Sequence, residues 1–247
     1  MKRYFVFLLF ISFSRLSLAS FDQNHSQWSA LLSEFTQKQG KQVLVNYKGL
    51  KKNHSRLKAY LSQLESVSKE EFKSFSLQEK LAFWINVYNA YTIDIILKHY
   101  PVKSIKKIKS GWFSSGPWKI EFIPLFGEKL SLDEVEHEII RPQFKEPRIH
   151  FAVNCASIGC PSLFQEAFVG DRIDEQLDLA AENFLRNTEK NFVKGRTLYL
   201  SKIFDWYGDD FELMYGSYIG YVIKTLNLKR QKYNVEFNSY DWSLNEI

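Results

Sequence analysis

The feature that most limits what this chain can fold into is the segment from Leu77 to about Lys98. Ser76 and Glu79 form a capping-box pair that predicts a helix start, and Pro101 requires the helix to end before it. Leu81, Phe83, Trp84, Ile85, Val87, Tyr88, Tyr91, Ile93, Ile95 and Ile96 leave it almost no polar stripe. A helix apolar on most sides must be surrounded by the rest of the molecule, so the fold is organised around it. Asn86 and Asn89 share one of its faces, and a carboxamide left unpaired in a core costs about 1–3 kcal/mol. Each therefore needs partners. They either bond to loop backbone and lock the fold or line a pocket, where they can hold a histidine tautomer or a substrate carbonyl.

Further elements follow from pattern. Helices are predicted over 22–39, with Trp28, Leu31, Leu32 and Phe35 at helical spacing, over 55–64, and over 68–75 behind the pair Ser68 and Glu71. Val43, Val45 and Tyr47 alternate as a short strand. A strand is expected over 118–125 with a turn at Gly127, and a third capping box, Ser131 with Glu134, opens a short helix to Arg141 before Pro142. Helices over 171–192 and 215–226 flank a hairpin turning at Gly195-Arg196. No glycine-rich phosphate or dinucleotide loop is present. The class is α+β: a single mixed domain with a buried central helix packed against a small sheet.

Chemistry concentrates in Pro147-Arg-Ile-His-Phe-Ala-Val-Asn-Cys-Ala-Ser-Ile-Gly-Cys-Pro161, which holds both cysteines of the chain. Ile149, Phe151 and Val153 alternate with His150, Ala152 and Asn154, which predicts a strand and puts Cys155 at its end.

The compartment bears on the thiols. Lys2 and Arg3, an apolar run from Tyr4 to Phe13 and the small residues around Ala19 predict a signal peptide over 1–19, with 20–247 as the mature domain, periplasmic or secreted. The apolar run is shorter than the roughly 20 residues of a membrane span, so no stable span is expected after cleavage. Losing Lys2, Arg3 and Arg15 leaves 30 basic against 28 acidic side chains. A nearly balanced, exported chain gives no electrostatic case for nucleic acid.

In an oxidising compartment Cys155 and Cys160 are expected to close a disulfide. Alternatively Cys155 is a nucleophile, with His150 or His137 as base and Asn86 as orienting group, in the manner of acyl-transfer thiol enzymes. Extended chain separates His150 from Cys155 by about 16 Å, so the chain must fold back for them to meet. Zinc held by His137, His150, Cys155 and Cys160 fits no familiar spacing, and no metal or cofactor is expected. Asn89 and Asn154 are candidates for substrate contact, as are Arg141 and Arg148, whose guanidinium forks suit a carboxylate. Asp205, Asp209 and Asp210 suggest a helix start or, less directly, an acid for the site. Trp112, Phe113 and Trp118 suggest a sugar or peptide platform.

Four ordered motifs, Leu81 to Ala90, Leu132 to Arg141, Pro147 to Pro161 and Ser201 to Phe211, with the tail Tyr240 to Asn245, resemble the family called Domain of Unknown Function 547. The resemblance implies that domain, known in exported bacterial and in plant proteins, and no settled reaction. Two functions follow: a thiol-dependent hydrolase or acyl transferase, or a non-catalytic binding or scaffold domain with a structural disulfide. Either takes a small-molecule, peptide or protein ligand of unknown identity.

Overall fold

The computed structural model describes residues 20–109 and 116–247, so the signal peptide expected over 1–19 and the loop expected to bear Trp112 and Phe113 lie outside the described residues. Helix α1 (Ser26–Phe35) buries Trp28, Leu31, Leu32 and Phe35, as their spacing requires. It is shorter than predicted. Thr36–Gln39 forms strand β1, paired antiparallel with β2 (Gln42–Val45) through a two-residue turn whose Gly40 sits at φ 60°. The polar side chains of Gln37, Lys38 and Gln39 offer no apolar face to prolong the helix, and all three are exposed. Tyr47, expected in the strand, opens α2 (Tyr47–Lys52), followed by α3 (His54–Ser66) and α4 (Lys69–Ser74).

The pair Ser68 and Glu71 makes half of a capping box. Ser68 Oγ accepts the Glu71 N–H at 3.0 Å, while the Glu71 carboxylate accepts the N–H of Phe21 at 2.7 Å instead. The box of Ser76 and Glu79 is complete, at 2.6 and 3.2 Å, and opens α5 (Leu77–His99). Every residue of α5 from Leu81 to Leu97 is buried. Helices α2 and α3, a π-helical segment over Glu134–Ile140, α7 (Ile173–Leu185) and a 3-10 turn at Gly170–Arg172 enclose it. The turn approaches so closely that a Cβ on Gly170 would stand 3.0 Å from the Glu79 backbone nitrogen.

Strands form three small separate sheets around this helical centre, not one sheet against it. The hairpin of β3 (Ile123–Leu125) and β4 (Glu128–Leu130) turns at Gly127, but the strand expected from Trp118 begins only at Ile123 because Pro117–Lys119 makes a 3-10 turn. β5 (Phe192–Lys194) and β6 (Thr197–Leu200) make the expected hairpin, and β7 (Asn234–Phe237) joins β6 in parallel. The C-terminal helical region is two helices, α8 (Ile203–Tyr215) and α9 (Tyr218–Thr225), parted at the left-handed Gly216. The mixed α+β class holds. Among the described residues no helix is long and apolar enough to cross a membrane.

The cysteine segment departs from its expected strand. Pro147–Phe151 is a 3-10 helix, and Cys155 lies in the loop beyond it. Alternation failed as a guide because residues 149 to 154 are all buried, so neither alternating set faces water. Phe151 packs with Phe184, Phe204 and Phe211 in a core built on α7, α8 and α9, whereas Ile149, Ala152 and Val153 pack into the core around α5. This turn, like α7, contributes to both cores. Likewise the helix expected to stop before Pro142 runs on as α6 (Arg141–Phe144), since the φ that proline fixes is itself helical and one further turn follows despite the missing N–H.

Candidate functional site: an aromatic cleft beside the cysteine loop

Side chains from α5, the π-helical segment, the cysteine loop, α8 and the C-terminal tail converge on a cleft of about 320 Å³. Both cysteines, His137 and His150 line it. The cysteine loop is fixed by a ladder of carboxamides. Asn89 Nδ2 donates to the Ala152 carbonyl at 2.9 Å, and Asn89 Oδ1 accepts the Asn154 N–H at 2.8 Å. Asn154 then donates to the Pro161 carbonyl at 2.7 Å and accepts the N–H of Ala156 at 2.8 Å. That last bond holds Ala156 at φ 59°, a left-handed conformation unusual for a residue with a Cβ. The tail docks on the same loop: Ile158 N–H donates to Ser243 O at 2.8 Å and Gly159 N–H to Asp241 O at 2.7 Å. Gly159 is needed here, because a Cβ would stand 2.8 Å from the Tyr240 ring.

The sulfurs of Cys155 and Cys160 lie within disulfide-bonding distance, with their Cα atoms 6.2 Å apart. The Tyr240 hydroxyl faces both, 3.3 Å from Cys155 Sγ and 3.2 Å from Cys160 Sγ. Ser157 Oγ is 3.2 Å from Cys155 Sγ. Cys160 is buried and Cys155 partly so.

His150 is buried and its ring stacks on Tyr207 at 3.9 Å. Its Nε2 is 2.7 Å from Asp210 Oδ2. The hydrogen bonds from His150 and from Arg141, which grips both Asp210 oxygens at 2.8 Å, hold the Asp210 carboxyl well below the usual range. Burial lowers the His150 pKa more than the neighbouring carboxylates restore it. A neutral imidazole donating Nε2–H to Asp210 carries a lone pair on Nδ1. That atom has no hydrogen-bond partner among the described residues, and Glu136 Oε1 stands 3.8 Å from it.

Glu136 is 6% exposed and has no Lys or Arg ion-pair partner among the described residues. The hydroxyls of Tyr88 and Tyr207 face it, and burial followed by the charge of Glu136 raises the pKa of both phenols. The upper wall is aromatic: Tyr240 lies 4.8 Å from Trp206 and 4.6 Å from Trp242, and Trp118 lies 5.6 Å from Trp242.

Several residues singled out by sequence have other employment. Asn86 Nδ2 donates to Phe168 O at 2.7 Å and its Oδ1 accepts Phe168 N–H at 3.0 Å, so it orients a loop and not a histidine. Asp210 is the residue that orients His150. Asn89 and Asn154 have their side chains committed to loop backbone, as above. Arg141 spends its fork on Asp210 and donates its remaining arm to His137 Nδ1 at 3.1 Å. Arg148 is committed to Glu146, Asp174 and Asp178 at 2.6 to 2.8 Å, which raises its pKa further above the usual range. Neither guanidinium is free to clamp a substrate. Neither histidine offered as base is bonded to a sulfur: His150 Nδ1 has no partner among the described residues, and His137 meets Arg141 and Asp133.

Sequence reasoning missed Glu136, Tyr207 and Tyr240 and gave Asp210 only a minor part. Glu136 sits between Val135 and His137 like any helical acid, and only its burial marks it out. A signal was nevertheless present at Ser201 to Phe211, where Trp206-Tyr207 and Asp210 fall on one helical face. Among the described residues, no group of three or more His, Cys, Asp and Glu side chains could hold a metal ion.

Residues 72–185 match the model of a family described as Protein of unknown function, DUF547, which supports the domain family that the motifs resemble. The match takes in α5, the π-helical segment and the cysteine loop. Tyr207, Asp210, Tyr240 and Trp242 fall outside it, so much of the cleft is built by the chain beyond the matched segment. No curated protein and no solved structure matches the chain.

Proposed function

We propose that this is an exported, non-catalytic binding domain, periplasmic or secreted after loss of residues 1–19, in which Cys155 and Cys160 form a structural disulfide beside a ligand cleft. The observation that carries it is the placement of the two sulfurs at bonding distance in a loop whose backbone is already fixed by Asn89, Asn154 and the tail. A sulfur in a disulfide is no nucleophile, and the loop needs no catalytic purpose to account for its hydrogen bonds. A cleft with many apolar walls and few convergent polar groups is the usual form of a small-molecule site.

One observation favours the second reading, a thiol-dependent hydrolase or acyl transferase with Cys155 as nucleophile. Cys155, His150 and His137 line the same cleft, so reduction would expose a thiol beside two imidazoles. Intact-mass analysis of the exported protein, alkylated with and without prior reductant, separates the two. Alkylation of both cysteines only after reduction supports the binding domain. Rapid labelling of Cys155 alone without reductant overturns it in favour of the enzyme, and Cys155→Ser must then abolish turnover of an ester or amide probe without lowering Tm. The mass also tests cleavage before Ser20.

A further inference from the structure

The polar floor of the cleft holds two acceptors, one of which, Glu136, is met by the Tyr88 and Tyr207 hydroxyls. His150 Nδ1 and Glu136 Oε1 face one another at 3.8 Å, and among the described residues neither receives a hydrogen bond from a lysine or arginine. Two acceptors brought together in a buried place are costly unless a donor comes between them. The charge count points the same way. Among the described residues, Arg141 is matched by Asp210 and Lys119 lines the cleft without an ion pair, so Glu136 has no cation bonded to it and the second carboxylate at the rim, Asp133, has His137 Nε2 at 3.8 Å.

The walls add a second, independent preference. Tyr207, Trp206, Tyr240 and Trp242 present aromatic rings around this floor, and ring faces attract cations electrostatically. The chain's own cations already exploit such faces here: Lys106 Nζ lies 4.6 Å from the centre of the Trp242 ring and the Arg141 guanidinium 5.3 Å from that of Tyr207. Trp206 is 43% exposed and lies against Tyr240 and Trp242, so it belongs to a contiguous aromatic patch and is not a lone surface ring. At the floor an anionic ligand would meet Glu136 and a neutral one would leave it uncompensated, while the one lysine of the lining, Lys119, stands beside Trp118.

We propose that the cleft binds a small organic cation bearing N–H donors, a protonated amine whose ammonium bridges Glu136 and His150 Nδ1 while its body lies against Trp206, Tyr207 and Tyr240. This rests on the binding-domain reading and gives it a ligand class. The volume of about 320 Å³ is at the small end for ligand pockets and suits a compact amine.

The test is titration calorimetry of the exported protein with three probes of one shape: phenethylamine, 2-phenylethanol and 3-phenylpropionate. Phenethylamine is expected to bind, and the alcohol and the acid to bind at least about 10-fold more weakly, the worth of a charged hydrogen bond. Glu136→Gln should weaken the amine by at least about 10-fold, and Trp206→Ala, at an exposed wall, by about 5-fold. If Glu136→Gln does not fold, Trp206→Ala carries the test. Binding of the alcohol or the acid at least as tight as that of the amine overturns the proposal, and so does the absence of binding by all three. The cysteine labelling reports separately on the binding-domain reading. Amine selectivity with a reactive Cys155 would sink that reading and keep the cation site, whereas oxidised cysteines without amine selectivity would do the reverse.

Discussion

Asp94 on α5 and Glu136 on the π-helical segment are both buried carboxylates, with side chains 0% and 8% exposed, yet their surroundings are opposite. Asp94 is met by His54 at 2.7 Å, Lys58 at 2.9 Å and Lys98 at 2.8 Å, and its pKa is lowered because these hydrogen bonds outweigh its burial. Glu136 is met by two phenols and by an imidazole nitrogen that itself lacks a donor. A carboxylate placed for stability collects cations from its own chain. One left short of them is held in place by the surrounding fold and remains available to something else. The same contrast separates the carboxamides of α5, whose bonds are closed within the chain, from the acceptors of the cleft.

The largest effect expected is at the closed end. Asn86→Ala leaves the buried N–H and carbonyl of Phe168 unpaired and should cost about 4 kcal/mol, read from urea unfolding at pH 7. A cost below about 1 kcal/mol would show that this carboxamide is no staple.

Acid should be nearly as damaging. His25 is buried against Tyr60, and burial pushes its pKa down to about 4, only partly offset by Asp22. Its folded pKa lies below the unfolded value near 6.5, so the unfolded chain binds the extra proton and stability falls as pH drops from about 6.5 to 4. The loss from this residue is on the order of 3 kcal/mol, and His150 adds to it in the same direction. Urea midpoints measured between pH 7 and 4 check the slope, and His25→Gln should flatten it.

The two carboxylates can be set against each other directly. Asp94→Asn should cost about 2 kcal/mol by releasing Lys58, Lys98 and the His54 ring, whereas Glu136→Gln should change stability by no more than about 0.5 kcal/mol in either direction. Equal costs in a pair of urea titrations would erase the distinction drawn between them. Last, replacing both cysteines by alanine removes the constraint on a very short loop and should cost about 2 kcal/mol. A loss below about 0.5 kcal/mol would mean that the carboxamide ladder holds the loop alone.

Much of this was legible in residue order because it depends on local rules. The helix from Leu77 was marked by a capping box and an unbroken apolar surround, and both describe α5. The hairpin at Gly195 and the need of Asn86 and Asn89 for partners were likewise local deductions. The strand over residues 149 to 154 failed for a physical reason: alternation identifies a strand only if one face meets water, and here both are buried. Pairing Asn86 with His150 depends on the distance between residues far apart in sequence, which no local pattern encodes.

The sequence alone thus determined the buried helix, the α+β class and the closeness of the two cysteines. The tertiary structure decided which groups were already satisfied. It closed Asn86, Asn89, Arg141 and Arg148 on partners within the chain, and it brought Asp210 and Tyr207 from α8 to His150. The reason is that propensity and periodicity act over one or two turns of chain, whereas whether a buried polar atom is paired depends on residues tens of positions away that meet it only after packing.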